Sequence, residues 1–132
     1  MPLHVELVSP ERTLYEGEAQ MVVARTVGGG DIAFMSGHAP FLGALAVWSA
    51  RIVETDGEAI DVAVHGGFIE VSGDRVTILS DVAEMAADID AARAERAREV
   101  AEQRLHAEED TAAEASLRRA HVRLELAGRQ GD

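Results

Sequence analysis

The sequence predicts an antiparallel β-sandwich or barrel in residues 1–86, followed by an antiparallel two-helix hairpin in residues 87–132. Two observations lead to this fold class. Before residue 86, apolar and polar residues alternate in about eight to ten short segments with frequent turn signals, as in antiparallel all-β domains. From Asp88 onward the chain is rich in Ala, Arg and Glu and has no glycine before Gly128, which is typical of helices. No βαβ rhythm is present, so a parallel nucleotide-binding sheet is not expected.

The clearest element is a β-hairpin in residues 68–79. Apolar and polar residues alternate with a period of two on both sides of Gly73, and β-branched residues are frequent. Gly73 and Asp74 supply the turn. The strand at residues 19–26 is expected to be covered on both faces, because its apolar residues are consecutive. Further strands are expected at residues 3–9, 13–16, 32–34, 42–46, 48–53 and 59–64.

Two helices are expected after the sheet, the first at residues 90–107 and the second from Thr111 to a stop at Gly128. Asp88 or Asp90 caps the first helix, and Thr111 with Glu114 forms a capping box for the second. Residues 108–110 form the turn between them. The expected seam is mostly alanine: Ala94, Ala97, Ala101 and Leu105 face Ala113, Leu117, Ala120, Leu124 and Ala127.

An alanine seam buries little apolar surface. At roughly 25 cal/mol per Å² of buried apolar area, it stabilises a helix pair much less than a leucine seam does. Glu95 and Glu99 also repel each other at i,i+4 spacing. We therefore expect a marginally held hairpin that is able to open or to leave its place.

Composition excludes several classes of protein. The formal net charge of −12 argues against a nucleic-acid partner, and the absence of cysteine excludes disulfides and thiolate chemistry. No run of about 18 apolar residues is present, and no signal sequence opens the chain, so we expect neither a membrane span nor export.

Catalytic and metal motifs are not recognisable in the sequence. Gly28, Gly29 and Gly30 are not followed by the Lys-Ser/Thr of a phosphate-binding loop, so they are expected to form a flexible loop between strands. No nucleophile-elbow pattern surrounds Ser36 or Ser80, and a stand-alone enzyme is therefore not expected. No metal site is expected either, because short ligand spacing is absent among His4, His38, His65, His106 and His121.

Three stretches, in their order and spacing, resemble one family, the ε subunit of bacterial F-type ATP synthase (the counterpart of mitochondrial δ). They are GHAPFL at residues 37–42, GGFIEV at residues 66–71, and VTIL at residues 76–79 running into DID at residues 88–90. The opening LHVELVSP at residues 3–10 is also similar to the family's first strand, so the resemblance covers essentially the whole chain. It implies a β-sandwich of about ten strands followed by two helices.

The resemblance also implies a function. Such subunits catalyse nothing and need no cofactor. They lie in the central stalk on the γ subunit and against the ring of c subunits, and they help couple proton flow to ATP synthesis. In many bacteria the hairpin extends along γ toward the α and β subunits and inhibits ATP hydrolysis. The implied location is peripheral, on the cytoplasmic face of the bacterial cell membrane.

The resemblance assigns one set of residues to the ring- and γ-facing loops. The family's ring-facing loop corresponds to Gly28, Gly29, Gly30 and Asp31, with Asp31 where an acidic residue is usual. His38 is expected in the neighbouring loop, at the same end of the sandwich.

The resemblance also assigns a second set of residues, which suggests an alternative function in which the hairpin binds ATP as a regulatory ligand. Some family members bind ATP through an I-D-x-x-R-A pattern, which here is IDAARA at residues 89–94. Asp90 would meet the adenine edge and Arg93 a phosphate. The corresponding positions are Glu84, Ile89, Asp90, Arg93, Arg119 and Arg123, whereas Val100 stands where ATP-binding members have a further basic residue. The same pattern has a structural explanation, in which Ile89 seats the helix start, Asp90 caps it and Arg93 pairs with an acid.

Overall fold

The computed structural model describes residues 2–107 and 111–130. Over these residues the chain forms nine strands, a single 3₁₀ turn at Ala86–Asp88 and two helices. The strands are β1 Leu3–Val8, β2 Thr13–Thr26, β3 Gly30–Met35, β4 Phe41–Ala44, β5 Val47–Glu54, β6 Ala59–His65, β7 Phe68–Ser72, β8 Arg75–Leu79 and β9 Ala83–Met85. The helices are α1 Ala91–Ala107 and α2 Thr111–Gln130.

The strands form two layers that share β2. The hydrogen-bonded order is β4-β7-β8-β1-β2-β5-β6-β9, with β3 also paired to β2, and every pairing is antiparallel except β1 with β8. The first half of β2 pairs with β1, and its second half pairs with β3 and β5. The strands expected at residues 13–16 and 19–26 are therefore one strand. This continuity gives nine described strands instead of about ten, although the sequence did not indicate β9.

The core lies between the two layers. Burial alternates along β1, where Leu3, Val5 and Leu7 are almost fully buried, and Phe34 is the largest side chain with no exposed surface. This alternation confirms the prediction made from the period of two. The other buried members of the core are Ala19, Val22, Ala24, Leu45, Ala50, Ile52, Val62, Val64, Ile69, Val71, Val76 and Ile78.

The strand that is covered on both faces is β6, and the prediction that residues 19–26 form such a strand is wrong. In β2, Val22 is buried in the core, whereas Met21 and Val23 are half-buried on the outer face beside Trp48. In β6, burial is continuous from residue 61 to residue 64. The inward side chains of β6 join the sandwich core, and Ala63 lies beneath the hairpin.

The turn between β6 and β7 requires glycine. Gly67 has a φ of +115°, and a Cβ added there would lie 2.1 Å from the carbonyl oxygen of Leu79. The Gly67 carbonyl accepts a hydrogen bond from the Leu45 amide at 2.8 Å. The hydroxyl of the buried Ser80 donates to the Gly66 carbonyl at 2.8 Å. The GGF part of the recognised pattern thus allows neighbouring backbones to approach closely.

Asp90 caps α1, as predicted. Its carboxylate accepts a hydrogen bond from the Arg93 amide at 3.0 Å, and its carbonyl accepts one from the Ala94 amide at 3.0 Å. The prediction that Gly128 ends the second helix is wrong, because α2 continues to Gln130. Glycine inside a helix costs only about 1 kcal/mol relative to alanine, so a single one near the end does not stop the helix. The turn expected at residues 108–110 lies outside the described residues.

The two helices pack along the predicted alanine seam, in which Ala94, Ala101, Ala113 and Ala120 are buried. A second contact, which the sequence did not indicate, joins α2 to the sandwich. Val122 and Leu126 are fully buried against Ala63, Ala86, Val47, Trp48 and Ile89. Neither described helix is long and apolar enough to cross a bilayer.

Candidate functional site

Three charged or titratable side chains meet where the hairpin contacts the sandwich: His65 at the end of β6, Glu84 on β9 and Arg123 on α2. Glu84 lies opposite Ala63 in the β6–β9 pairing, which places its carboxylate next to His65. Arg123 Nε donates to Glu84 Oε1 at 2.5 Å, and His65 Nε2 lies 3.0 Å from the same oxygen. The side chain of His65 is only 2% exposed, compared with 28% for Glu84 and 27% for Arg123. We call these three residues the junction cluster.

The junction cluster perturbs the ionisation of its own members. Burial is the main cause that lowers the pKa of His65, and the positive charges of Arg123 and Arg119 lower it further against the opposing effect of Glu84. Burial alone would raise the pKa of Glu84, but the hydrogen bonds from Arg123 and His65 outweigh it and lower that pKa below its usual value. The cluster is therefore a neutral imidazole beside an ionised carboxylate–guanidinium pair at neutral pH.

A cavity of about 250 Å³ opens beside the junction cluster. Four of the six residues expected to hold ATP lie on its wall, namely Glu84, Asp90, Arg93 and Arg123. Asp88, Ala94 and Ala97 complete the lining. Three carboxylates and two guanidinium groups give this wall a formal charge of −1, because 3 negative charges face 2 positive ones. The cavity is smaller than the roughly 300–1,000 Å³ of typical small-molecule sites.

Two of the predicted ATP residues lie away from this cavity wall. Ile89 packs in the apolar contact with Val122 and Leu126, and Arg119 donates to Ser116 Oγ at 3.0 Å. Ile89 therefore seats the helix start, as the structural explanation of the pattern expects. For Arg93, no side-chain ion pair is found among residues 2–107 and 111–130.

The two loops expected to face γ and the c ring lie at opposite ends of β3, so the expectation that they share one end of the sandwich is wrong. Gly28 and Gly29 lie in the turn before β3, Gly30 and Asp31 are the first two residues of β3, and His38 follows its other end. Six extended residues separate the loops by roughly 17–20 Å. The error arose because loops that are neighbours in the sequence lie at opposite ends when a single strand connects them.

Each of these loops has a defined local structure. Arg25 holds Asp31 through a bidentate ion pair whose shorter contact, Nε to Oδ1, is 2.9 Å, and the Arg25 guanidinium lies 4.3 Å from the Trp48 ring centroid. Gly28 and Gly30 have φ values of +78° and +70°. In the other loop, the His38 ring packs edge-on against Phe34 at 4.9 Å.

The outer face of the layer formed by β4, β7, β8 and β1 carries an exposed apolar surface. Leu42 is 70% exposed, Phe68 55% and Leu79 45%. These three residues, with Val8, surround a shallow cavity of about 430 Å³. We call them the outer apolar patch. Phe68 shares its face with Glu70 and Ser72, and this aromatic residue on a solvent-facing parity was the signal by which the sequence could have shown the patch.

One further cluster lies on the same layer. His4 Nε2 is 3.3 Å from Glu6 Oε1 and 3.1 Å from Glu16 Oε1, and Arg75 donates to Glu6 at 3.1 Å. Cross-strand pairing creates this proximity, which spacing along the chain does not reveal. The groups are exposed or partly exposed: Arg75 and Glu6 form an ion pair, and His4 Nε2 lies within 3.3 Å of both carboxylates. Such surface pairs contribute about 0–1 kcal/mol each.

An exposed apolar patch such as this one is typical of a surface that contacts another protein, a membrane or a ligand. The model of the ATP synthase delta/epsilon chain β-sandwich domain matches residues 2–86, and that of the delta/epsilon chain long α-helix domain matches residues 87–128. The chain therefore belongs to the ATP synthase delta/epsilon family and is of the epsilon type, a central-stalk subunit of F-type ATP synthase.

Individual relatives agree with this assignment. An ATP synthase epsilon chain of Streptomyces avermitilis is 49% identical over 122 residues, which cover 92% of this chain and 92% of that protein. One of Halalkalibacterium halodurans is 44% identical over 133 residues and covers 96% and 98%, respectively. A chain in the cryo-EM structure of Euglena gracilis mitochondrial ATP synthase (OSCP/F1/c-ring, rotational state 1) has a TM-score of 0.82 at 22% identity, covering 96% of this chain and 81% of that chain. This last similarity shows a shared fold.

The apolar contact under α2 predicts how firmly the hairpin is docked. Leu126→Ala removes a fully buried side chain from the contact and should weaken docking by about 3 kcal/mol. Amide hydrogen exchange along α2 should then accelerate, while exchange in β1 and β8 stays slow. Val100→Ala, at a position 55% exposed on α1, is the matched control and should leave α2 protected. Unchanged protection in Leu126→Ala would show that this contact does not hold the hairpin.

Proposed function

We propose that this chain is the non-catalytic epsilon subunit that couples proton flow through the c ring to ATP synthesis, with its sandwich bound to γ and its hairpin regulating ATP hydrolysis. The observation that carries the proposal is the outer apolar patch on a chain of this family. A contiguous exposed apolar surface with polar neighbours such as Glu70 and Thr77 is characteristic of a protein–protein interface. A partner subunit would remove Leu42, Phe68 and Leu79 from water.

The described ionisable groups support a role without catalysis. Burial and a hydrogen bond to Glu54 raise the pKa of Tyr15 to about 12. The Arg51 guanidinium, whose pKa is raised by its hydrogen bond to Asp61, forms an ion pair with that residue at 2.9 Å. Tyr15 and Arg51 thus each pair with a neighbouring carboxylate, as groups in structural hydrogen bonds and ion pairs do.

The two loops at opposite ends of β3 are proposed to face different neighbours. A single small contact cannot cover both, since roughly 17–20 Å separates them. We assign the turn of Gly28, Gly29, Gly30 and Asp31 to the c ring, and His38 to γ. With those partners, the protein would lie peripherally at the cytoplasmic face of the bacterial cell membrane.

Binding to the cognate γ subunit tests the proposed anchor. The intact chain should co-elute with γ in size-exclusion chromatography. Phe68→Asp should lower the affinity at least tenfold, because it places a charge in the outer apolar patch without disturbing the core. Val100→Asp, which places the same charge at a similarly exposed site on α1, should bind as the unaltered chain does. If the intact chain never co-elutes with γ, the proposed function as a γ-bound coupling subunit fails.

The hairpin is proposed to act as a brake on ATP hydrolysis. Its hold on the sandwich depends on two buried apolar side chains, Val122 and Leu126, and on the Arg123–Glu84 ion pair. Such a limited contact is compatible with release toward the α and β subunits. The sandwich in residues 1–86 has its own core, so we propose that it remains folded when residues 87–132 leave.

ATP hydrolysis by a cognate α₃β₃γ complex tests whether the hairpin inhibits the enzyme. The intact chain should inhibit hydrolysis, whereas a chain truncated before Asp88 should bind γ equally well without inhibiting. The truncated chain is its own control, because retained binding shows that its sandwich is folded. If both forms bind and neither inhibits, the chain is a coupling subunit only. If the truncated form also inhibits hydrolysis, the sandwich and not the hairpin is responsible for the inhibition.

A second candidate function is ATP sensing by the hairpin, which one observation favours: the cavity that brings Glu84, Asp90, Arg93 and Arg123 together. Calorimetric titration with ATP should release heat, and Arg93→Ala should reduce the affinity by about tenfold, as expected for a lost charged hydrogen bond. Arg96→Ala is the matched control, because Arg96 is exposed on the same helix and does not line the cavity.

We expect the affinity for ATP to be low. The wall has a formal charge of −1, Arg123 is already paired with Glu84, and Val100 supplies no positive charge. Absence of heat from the unaltered chain would exclude ATP sensing and would leave the proposed coupling function unaffected. Equal loss in both variants would show that the cavity is not the site.

A further inference from the structure

We propose that docking of the hairpin on the sandwich is pH-sensitive. Protonation of His65 weakens the contact between α2 and the sandwich, so that mild acid favours release of the hairpin. The proposal concerns the equilibrium of this chain itself and does not require binding to γ or to ATP.

The hydrogen bonds of the junction cluster determine which imidazole nitrogen carries the proton. Glu84 Oε1 accepts from Arg123 Nε, and His65 Nε2 lies 3.0 Å from the same oxygen. An ionised carboxylate only accepts hydrogen bonds, so Nε2 of His65 must carry the proton and donate. Nδ1 then holds the lone pair. It is buried and has no hydrogen-bond partner within the part of the chain that the structure describes.

A second proton on His65 would therefore have to bind at Nδ1. It would create a buried N–H without an acceptor and a second positive charge close to Arg123. The charged groups that face His65 are Arg119 and Arg123 from α2 and Glu84 from β9. Burial and the two arginines oppose protonation. Glu84 favours it but is already engaged by Arg123, and the balance lowers the pKa of His65 below its usual 6.5.

Release of the hairpin reverses most of these effects. Arg119 and Arg123 leave with α2, and His65 gains access to water. Glu84 stays beside it, because β9 is hydrogen-bonded to β6. The pKa of His65 in the released state should thus be at or above its ordinary value of about 6.5. The released state binds the proton first, and the docking equilibrium constant should fall as the pH drops below about 6.5.

The size and range of the effect follow from one proton. The docking constant should fall by up to about tenfold per pH unit, and the fall should level off below the pKa of His65 in the docked state. Well above the pKa of His65 in the released state, the docking constant should not depend on pH. Glu84 adds a separate loss of docking in stronger acid, because its pKa is lowered in the docked state and its ordinary value is 4.5.

The experiment measures the distance between hairpin and sandwich in the full chain by energy transfer between two dyes. The chain has no cysteine, so Glu11→Cys and Val100→Cys provide unique labelling positions, both exposed. Between about pH 8 and pH 5, the transfer efficiency should stay constant and then change below about pH 6.5. His65→Gln keeps an N–H donor toward Glu84 but cannot become charged, and it should abolish this change. His121→Gln, at an exposed histidine of α2, is the matched control and should keep it.

A second measurement does not depend on any His65 variant folding. NMR titration of the His65 ring in the unaltered chain should show it titrating below its ordinary pKa of 6.5. The proposal is overturned if His65 titrates at or above its ordinary pKa of 6.5, if the unaltered chain shows no change in energy transfer, or if the change persists in His65→Gln.

Discussion

The position of the hairpin depends on a single carboxylate oxygen and two apolar side chains. Glu84 Oε1 accepts hydrogen bonds from both Arg123 and His65, and Val122 and Leu126 provide the apolar contact beside it. A largely desolvated ion pair contributes little net stability, because removing the charges from water offsets most of their attraction. Most of the docking free energy must come from the apolar contact. The docking equilibrium is therefore easy to shift. The cost of one added charge in the junction cluster is large compared with the docking free energy.

Much of the fold could be predicted from the sequence, because its strands face a core on one side and water on the other. The alternation in β1 and in the hairpin of β7 and β8 reports this arrangement directly. The alternation no longer indicates which residues face the core where the outer face of a strand is covered by another side chain or by a helix. Met21 and Val23 are apolar because they lie beside Trp48, and Ala63 because α2 lies above it. Local patterns do not distinguish these coverings from a second core face.

The candidate site was predictable in part. Resemblance to the family identified Glu84, Asp90, Arg93 and Arg123, which the structure brings to one cavity. It did not identify His65, whose proximity to Glu84 depends on the pairing of β6 with β9, a three-residue strand too short to produce a periodic signal. The docking face of α2 was missed for a related reason. The seam with α1 and the contact with the sandwich occupy adjacent stripes of one helix, and alanines dominated the pattern.

The two surfaces on which the proposed functions depend lie on different layers of the sandwich. The outer apolar patch belongs to β4, β7, β8 and β1, whereas α2 packs on β5 and β6. The long strand β2 joins the layers through its backbone, but the core between them is closely filled and need not change when either surface gains or loses a partner. A subunit built in this way can stay bound through one layer while the hairpin leaves the other. Protonation of His65 would then alter the position of the hairpin without weakening the proposed contact between the outer apolar patch and γ.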